Sequence, residues 1–167
     1  MGSRNLTLVI KNDEIKIAQY GNDRDQELIA LNFLKKYDLS KFLDKLEKCR
    51  FIDKEKDKEI DEYLKSIGSD DGWLTMDQSR QYNKQYKYLS NAHGVSILNL
   101  IDDSDDEEIW LDYSEYNETG TFSCEYCYII NFDKNTFEVK RNHDDLIKIY
   151  ELQNLPSNED FIKDFEI

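Results

Sequence analysis

Two alternating apolar runs at the start of the chain constrain its fold more than any other feature. Residues 6–10 and 15–20 alternate in this way and flank the polar connector 11–14. This pattern predicts a β-hairpin with a four-residue loop. Because a two-stranded hairpin is only marginally stable in water, it must join a larger sheet built from later parts of the chain.

The apolar spacing becomes helical after the hairpin and returns to alternation after residue 108. It predicts helices beginning near residues 26, 40, 53, 75 and 95, strands over 109–113, 122–131, 137–140 and 146–149, and a last helix over 157–165. Strands and helices are thus segregated along the chain, which is typical of the α+β class. We expect one α+β domain over residues 1–167. Its mostly antiparallel sheet would combine the N-terminal hairpin with the C-terminal strands, and four or five inserted helices would pack on it.

The formal net charge of −14 at pH 7 limits the partners of this chain. Nucleic acids and anionic membranes attract proteins mainly through Lys and Arg, so the charge argues against direct binding to either. Two interpretations remain. The acids keep the protein soluble, or they imitate nucleic acid and occupy a basic groove on a partner protein.

The cysteines and the apolar runs indicate a cytoplasmic protein. Cys49, Cys124 and Cys127 are an odd number, which argues against a disulfide framework and for a reducing compartment. No apolar run approaches the ~18 residues of a membrane span. Cys124 and Cys127 form a CxxC motif within a strand-like run, where their sulfurs would point to opposite faces. A zinc site needs a second ligand pair, so no metal and no cofactor are predicted.

The densest charge pattern is the acidic run, residues 102–108, in which Ser104 is the one residue that is not acidic. A calcium loop starting at Asp103 would need Gly at its sixth position and Glu at its twelfth, but Glu108 and Ser114 stand there. The run is therefore either a solvated loop or an acidic recognition surface. In the second case the partner-binding residues would be Asp102, Asp103, Asp105, Asp106, Glu107, Glu108, Asp112, Tyr113, Glu115 and Tyr116.

An enzyme is the competing class. A hairpin at the chain start, followed by helices and more strands, is also found in N-terminal-nucleophile hydrolases, which need Cys, Ser or Thr at the exposed terminus. Removal of Met1 would expose Gly2, so the mechanism would require an additional cleavage that exposes Ser3. Arg4 and Asn5 could line a pocket for a carboxylate or a phosphate.

Several stretches resemble a family of uncharacterised proteins from phages and prophages of Firmicutes and related bacteria. The opening MGSRNLTLVI and the hairpin end KIAQYG carry most of the resemblance, together with LNFL at 31–34, YKYLS at 86–90, GVSIL at 94–98, YCYIINFD at 126–133 and FEV at 137–139. Members of that family open with MGTRNLT and continue the hairpin as KVAQYGQWDGYP. This chain has NDRDQ at 22–26 in place of QWDGYP.

The resemblance implies a mobile-element origin and a shared fold, without an activity. Combined with the acidity, it leads us to expect a phage-encoded accessory protein that binds a basic surface of a host protein. The most specific form of this expectation is an inhibitor of a nucleic-acid-handling defence effector, similar to an anti-CRISPR protein. The alternatives are a small hydrolase or nucleotide-binding enzyme, and a structural or assembly component.

Overall fold

A computed structural model describes residues 4–22, 26–89, 93–113, 124–142 and 145–165. Its elements in chain order are β1 (Asn5–Lys11), β2 (Glu14–Gly21), α1 (Gln26–Lys36), α2 (Leu39–Glu47), β3 (Cys49–Phe51), α3 (Lys54–Ser66), α4 (Met76–Gln85), α5 (Ser96–Asp102), β4 (Ile109–Leu111), β5 (Tyr126–Asn131), β6 (Thr136–Arg141), β7 (Leu146–Glu151) and α6 (Asn158–Phe165). Five helices lie between the hairpin and the C-terminal strands. The predicted α+β class is confirmed.

The main sheet has five strands in the order β2-β1-β5-β6-β7. Strand β1 lies inside the sheet, antiparallel to β2 on one side and parallel to β5 on the other. The pairs β5–β6 and β6–β7 are antiparallel. The predicted mostly antiparallel sheet of hairpin and C-terminal strands is therefore confirmed.

A short parallel pair, β3 and β4, forms a second sheet. Strand β3 was not predicted, because three residues are too few to show alternation. The strand predicted over 109–113 ends at Leu111, and Tyr113 makes an isolated parallel bridge to Ala18 of β2. The small sheet thus lies beside the β2 edge of the main sheet.

The hairpin loop has two residues, where the sequence pattern predicted four. Lys11 pairs with Glu14, and the loop residues Asn12 and Asp13 have φ of 55° and 59°. Asn and Asp tolerate this left-handed region, and two such residues form the tight turn that matches strand twist. The N–H groups of Asn12 and Asp13 donate to the Asp133 carboxylate at 2.8 and 2.7 Å. These bonds hold the pKa of Asp133 below its ordinary value and join the hairpin tip to the β5–β6 turn.

Both faces of the main sheet are apolar. The inner face packs against the helices in a cluster that includes Val9, Ile130, Phe42, Leu98 and Phe161. A smaller cluster on the outer face consists of Leu6, Leu8, Ala18, Cys124, Cys127 and Ile129. Burial of this area supplies the main driving force for folding.

Helices α3 and α4 are positioned by their caps and by aromatic contacts between them. The Asp53 carboxylate accepts the Lys56 N–H at 2.8 Å, so it fixes the first turn of α3. Thr75 and Gln78 form a capping box at the start of α4. The Tyr86 ring, just after α4, meets the Tyr63 ring of α3 edge-on at 5.3 Å between centroids.

Candidate functional site: an acidic cleft beside Trp110

The acidic run is held in place at Asp106 by two buried side chains, Tyr88 and Ser104. Tyr88 is 6% exposed, and its hydroxyl donates to Asp106 Oδ2 at 2.5 Å and lies 2.5 Å from Ser104 Oγ. Ser104 is also buried, and its Oγ accepts the Asp106 N–H at 3.1 Å. The acids on either side are exposed. The run is therefore anchored at Asp106 and exposes the carboxylates of Asp105, Glu107 and Glu108.

Charges around Asp106 favour its ionised form. The hydrogen bond from Tyr88 lowers the pKa of Asp106, and Lys87, whose ammonium lies 3.3 Å away, adds to this effect. Burial raises the pKa of Tyr88, and the Asp106 carboxylate raises it further. Tyr88 is thus a neutral donor and Asp106 an ionised acceptor at neutral pH.

Tyr88→Phe is expected to destabilise the protein by about 1.5 kcal/mol at neutral pH, because it removes the donor to a charged acceptor. The folded pKa of Asp106 lies below the ordinary value of 3.8. The stabilisation is therefore present above that value and is lost as the pH falls through the lower folded pKa. Urea unfolding at several acidic pH values should show a flatter acid decline for Tyr88→Phe and for Asp106→Asn than for the wild type. Equal declines in all three proteins would contradict this anchoring role.

A cleft of about 410 Å³ opens beside the acidic run. Its walls come from the first turns of α3, from the segment after α4, and from the acidic run with β4. The lining side chains that bear on its chemistry are Lys56, Glu59, Lys84, Tyr86, Lys87, Tyr88, Asp106, Glu107, Glu108 and Trp110. A second cleft of about 250 Å³ shares Lys56, Glu59, Glu108 and Trp110 and adds Asp53 and Glu55. Trp110 and Lys56 therefore line both clefts.

A lysine of the chain itself lies against the aromatic walls of this cleft. The Lys56 ammonium lies 4.8 Å from the Trp110 ring centre and 5.9 Å from the Tyr86 ring centre, both within cation–π range. It also pairs with Glu59 at 2.5 Å. The indole N–H of Trp110 donates to Glu108 Oε2 at 3.1 Å. We call Trp110, Tyr86 and Glu59 the cage.

The predicted partner-binding residues lie in different environments. Asp105, Asp106, Glu107 and Glu108 are exposed, and the last three line the larger cleft. Asp103 is exposed at the end of α5, whereas Asp102 is half-buried and its carbonyl accepts the buried Lys45 ammonium. Asp112 is exposed, with its carbonyl accepting Gln19 Nε2, and the Tyr113 ring meets Phe51 at 5.0 Å. Glu115 and Tyr116 lie outside the described residues.

Sequence reasoning missed the half of the site that α3 supplies. Asp53, Glu55 and Glu59 bring three further carboxylates to the clefts, and Lys56 brings the ammonium. The charged first two turns of α3 were visible as a pattern, but charge on a helix does not reveal what the helix faces. The alternation around Trp110 predicts only a strand and gives no sign that its ring lines a cleft.

The two residues proposed for a pocket at the hairpin end have different surroundings. Arg4 is exposed, and its carbonyl accepts the Glu125 N–H at 2.8 Å. Asn5 is 1% exposed, next to the point where the backbones of Gly21 and Gly94 meet. Ser3 lies outside the described residues.

The three cysteines are buried thiols. Burial raises the pKa of Cys49 and of Cys127 to about 12, so neither is a thiolate at neutral pH. Cys124 precedes β5, and both CxxC cysteines pack in the outer-face cluster. The prediction that their sulfurs point to opposite sheet faces was wrong, because Cys124 lies before the regular alternation of the strand.

The described part of the chain also lacks two features that would define a functional class. Among these residues, no three His, Cys, Asp or Glu side chains are grouped so as to hold a metal ion. None of the described helices combines the length and the apolarity that a membrane crossing requires.

Comparison of the chain with protein-family models, curated proteins and solved structures gives no match, so the family resemblance described above remains a prediction.

Proposed function

We propose that this protein is a binding module that takes a basic surface of a partner protein into its acidic cleft. The observation that carries the proposal is the fixed position of the acidic run at Asp106, whose carboxylate is held by the buried Tyr88 hydroxyl and whose N–H is held by buried Ser104. Asp105, Glu107 and Glu108 are exposed on either side of this anchor. Preordered charges bind an opposite surface with little loss of backbone freedom. The proposal assigns no catalytic residue.

The concrete form of the proposal is an inhibitor of a host nucleic-acid-handling protein. The net charge of −14 and the resemblance to phage and prophage proteins support it. A basic groove that normally holds phosphates would accept these carboxylates instead, and occlusion of the groove would block the nucleic acid. Association of this kind weakens strongly with salt, because the charges are exposed and screened.

The test is capture from host lysate on the immobilised protein at ~100 mM and ~500 mM salt, followed by mass spectrometry. We expect a basic, nucleic-acid-binding protein to be retained at low salt and released at high salt. The double variant Glu107→Lys, Glu108→Lys should lose most of that protein. The matched control Asp61→Lys, Glu62→Lys makes the same charge change at exposed positions of α3 that do not line either cleft.

The control separates the cleft from the overall charge of the protein. Equal loss of the captured protein in both double variants would mean that net charge, and not the cleft, governs binding. Capture of no protein at either salt concentration would overturn the proposal.

A further inference from the structure

The ammonium of Lys56 is enclosed by groups that suit a cation. The Trp110 and Tyr86 rings lie 4.8 and 5.9 Å from it, and Glu59 pairs with it at 2.5 Å. The Lys56 side chain is only 17% exposed. A lysine on the first turn of a helix normally extends its ammonium into water. The position of the Lys56 ammonium against two rings and a carboxylate therefore shows that the cage favours a cation.

The smaller cleft around the cage carries more negative charge than Lys56 neutralises. Glu59, Asp53, Glu55 and Glu108 line the smaller cleft, where Lys56 is the one lysine. The larger cleft adds Asp106 and Glu107. It also adds Lys84 and Lys87, and the Lys87 ammonium pairs with Asp106 at 3.3 Å, so the excess of negative charge lies on the side of the smaller cleft. Trp110 is only half-buried and lines both clefts, so a second cation can reach its ring.

We propose that the cage recognises an arginine side chain of the partner, and that Lys56 is its internal occupant in the free protein. This inference rests on the proposed function and names the chemical group of the partner that the cleft binds. A planar guanidinium stacks on an indole face and also donates to two carboxylates in its plane, which a compact ammonium cannot do. The flexible four-carbon stem of Lys56 lets its ammonium leave for solvent when the guanidinium enters.

The test measures binding of a fluorescein-labelled peptide, acetyl-Gly-Ser-Arg-Ser-Gly-amide, by anisotropy at low salt. Lys56→Met removes the ammonium and keeps most of the apolar stem, so the cage loses its cation and we expect at least fivefold tighter binding than to the wild type. The same peptide with citrulline in place of arginine should gain nothing, because citrulline is neutral and otherwise similar in shape. Lys58→Met is the matched control, since it removes one exposed lysine charge from the same helix.

Three outcomes would overturn the inference. Equal affinity of the Lys56→Met and Lys58→Met variants for the arginine peptide would mean that only net charge matters. An equal gain in affinity for the citrulline peptide would mean that the cage does not recognise the positive charge of arginine. Should Lys56→Met fail to fold, Trp110→Leu and Trp73→Leu are compared in the wild-type background, because Trp73 is 82% exposed and lines neither cleft. Equal peptide affinity of those two variants would overturn the inference as well.

The inference and the proposed function can fail separately. In the first case, a lysate partner is lost in the Glu107→Lys, Glu108→Lys variant but binds the Lys56→Met variant and the Lys58→Met control equally. The acidic cleft would then be a binding site in which the cage has no role. Arginine-peptide binding that depends on Lys56 and Trp110, with no partner captured from lysate, would retain the cage and reject the host-protein proposal.

Discussion

Gly21→Ala is expected to lower the free energy of unfolding by about 3 kcal/mol, the upper part of the range for overpacking a buried site. A Cβ at this position would lie 2.6 Å from the Cα of Gly94 and 2.7 Å from Asn5 Oδ1. The first of these is backbone, and it is held there by the hydrogen bond from the Gly94 N–H to the Tyr20 carbonyl at 3.0 Å. Neither the end of β2 nor the Gly94 turn can withdraw without breaking that bond.

Gly72→Ala is the matched control for this prediction. Gly72 has φ of +82° with nothing within 4 Å of an added Cβ, so the variant tests backbone strain without crowding. It should cost about 1 kcal/mol, the usual penalty for a non-glycine residue in the left-handed region. Urea unfolding monitored by circular dichroism gives both values. A smaller effect for Gly21→Ala than for Gly72→Ala would show that the β2 end and the Gly94 turn are not tightly packed.

Phe42→Ala is expected to cost about 4 kcal/mol, as is typical when a fully buried phenylalanine is truncated to alanine. Phe42 of α2 is 0% exposed, and its ring meets Phe33 of α1 at 5.1 Å and Phe132 after β5 at 6.1 Å. One side chain therefore joins two helices to the sheet. The resulting cavity lies between rigid rings, which limits the collapse that would reduce its cost.

Leu39→Ala on the same helix is the control for Phe42→Ala. Leu39 is 48% exposed, so its truncation should change stability by less than about 0.5 kcal/mol. Thermal and urea unfolding give the stability loss at a buried and at an exposed position of α2. Both variants introduce alanine, so the helix propensity of the new residue is the same. A cost below about 1.5 kcal/mol for Phe42→Ala would mean that the aromatic cluster repacks around the gap.

The elements and their assembly into one mostly antiparallel sheet were largely predictable from sequence, whereas the strand order and the register were not. The hairpin was visible because both of its strands alternate around one polar turn, and α3 was visible because Asp53 and Gly68 bracket an apolar stripe. Alternation gives no information on partners, however. The parallel register of Asn5 with Tyr126 depends on packing between segments far apart in sequence, which no local pattern records.

The candidate site shows the same division between local and distant information. The acids of the run are close together in sequence, so an acidic loop could be predicted there from the sequence alone. The cage combines Glu59 of α3 with Tyr86 after α4 and Trp110 of β4, so three separate parts of the chain had to meet before it could hold Lys56. The role of Tyr88 was equally hidden, because a tyrosine beside Tyr86 looks like an ordinary core residue until its hydroxyl meets Asp106.

The inner position of β1 has a consequence for synthesis of the chain. Its partner β5 follows it by about 120 residues, as the pairing of Asn5 with Tyr126 requires. At the usual ribosomal rate the hairpin would emerge on the order of ten seconds before that partner is made. During this interval one long edge of β1, bearing Leu6 and Leu8, has no strand to pair with. The nascent protein would therefore be most prone to aggregation and most dependent on chaperones before β5 appears, and the main sheet could be completed only after β5 has been made.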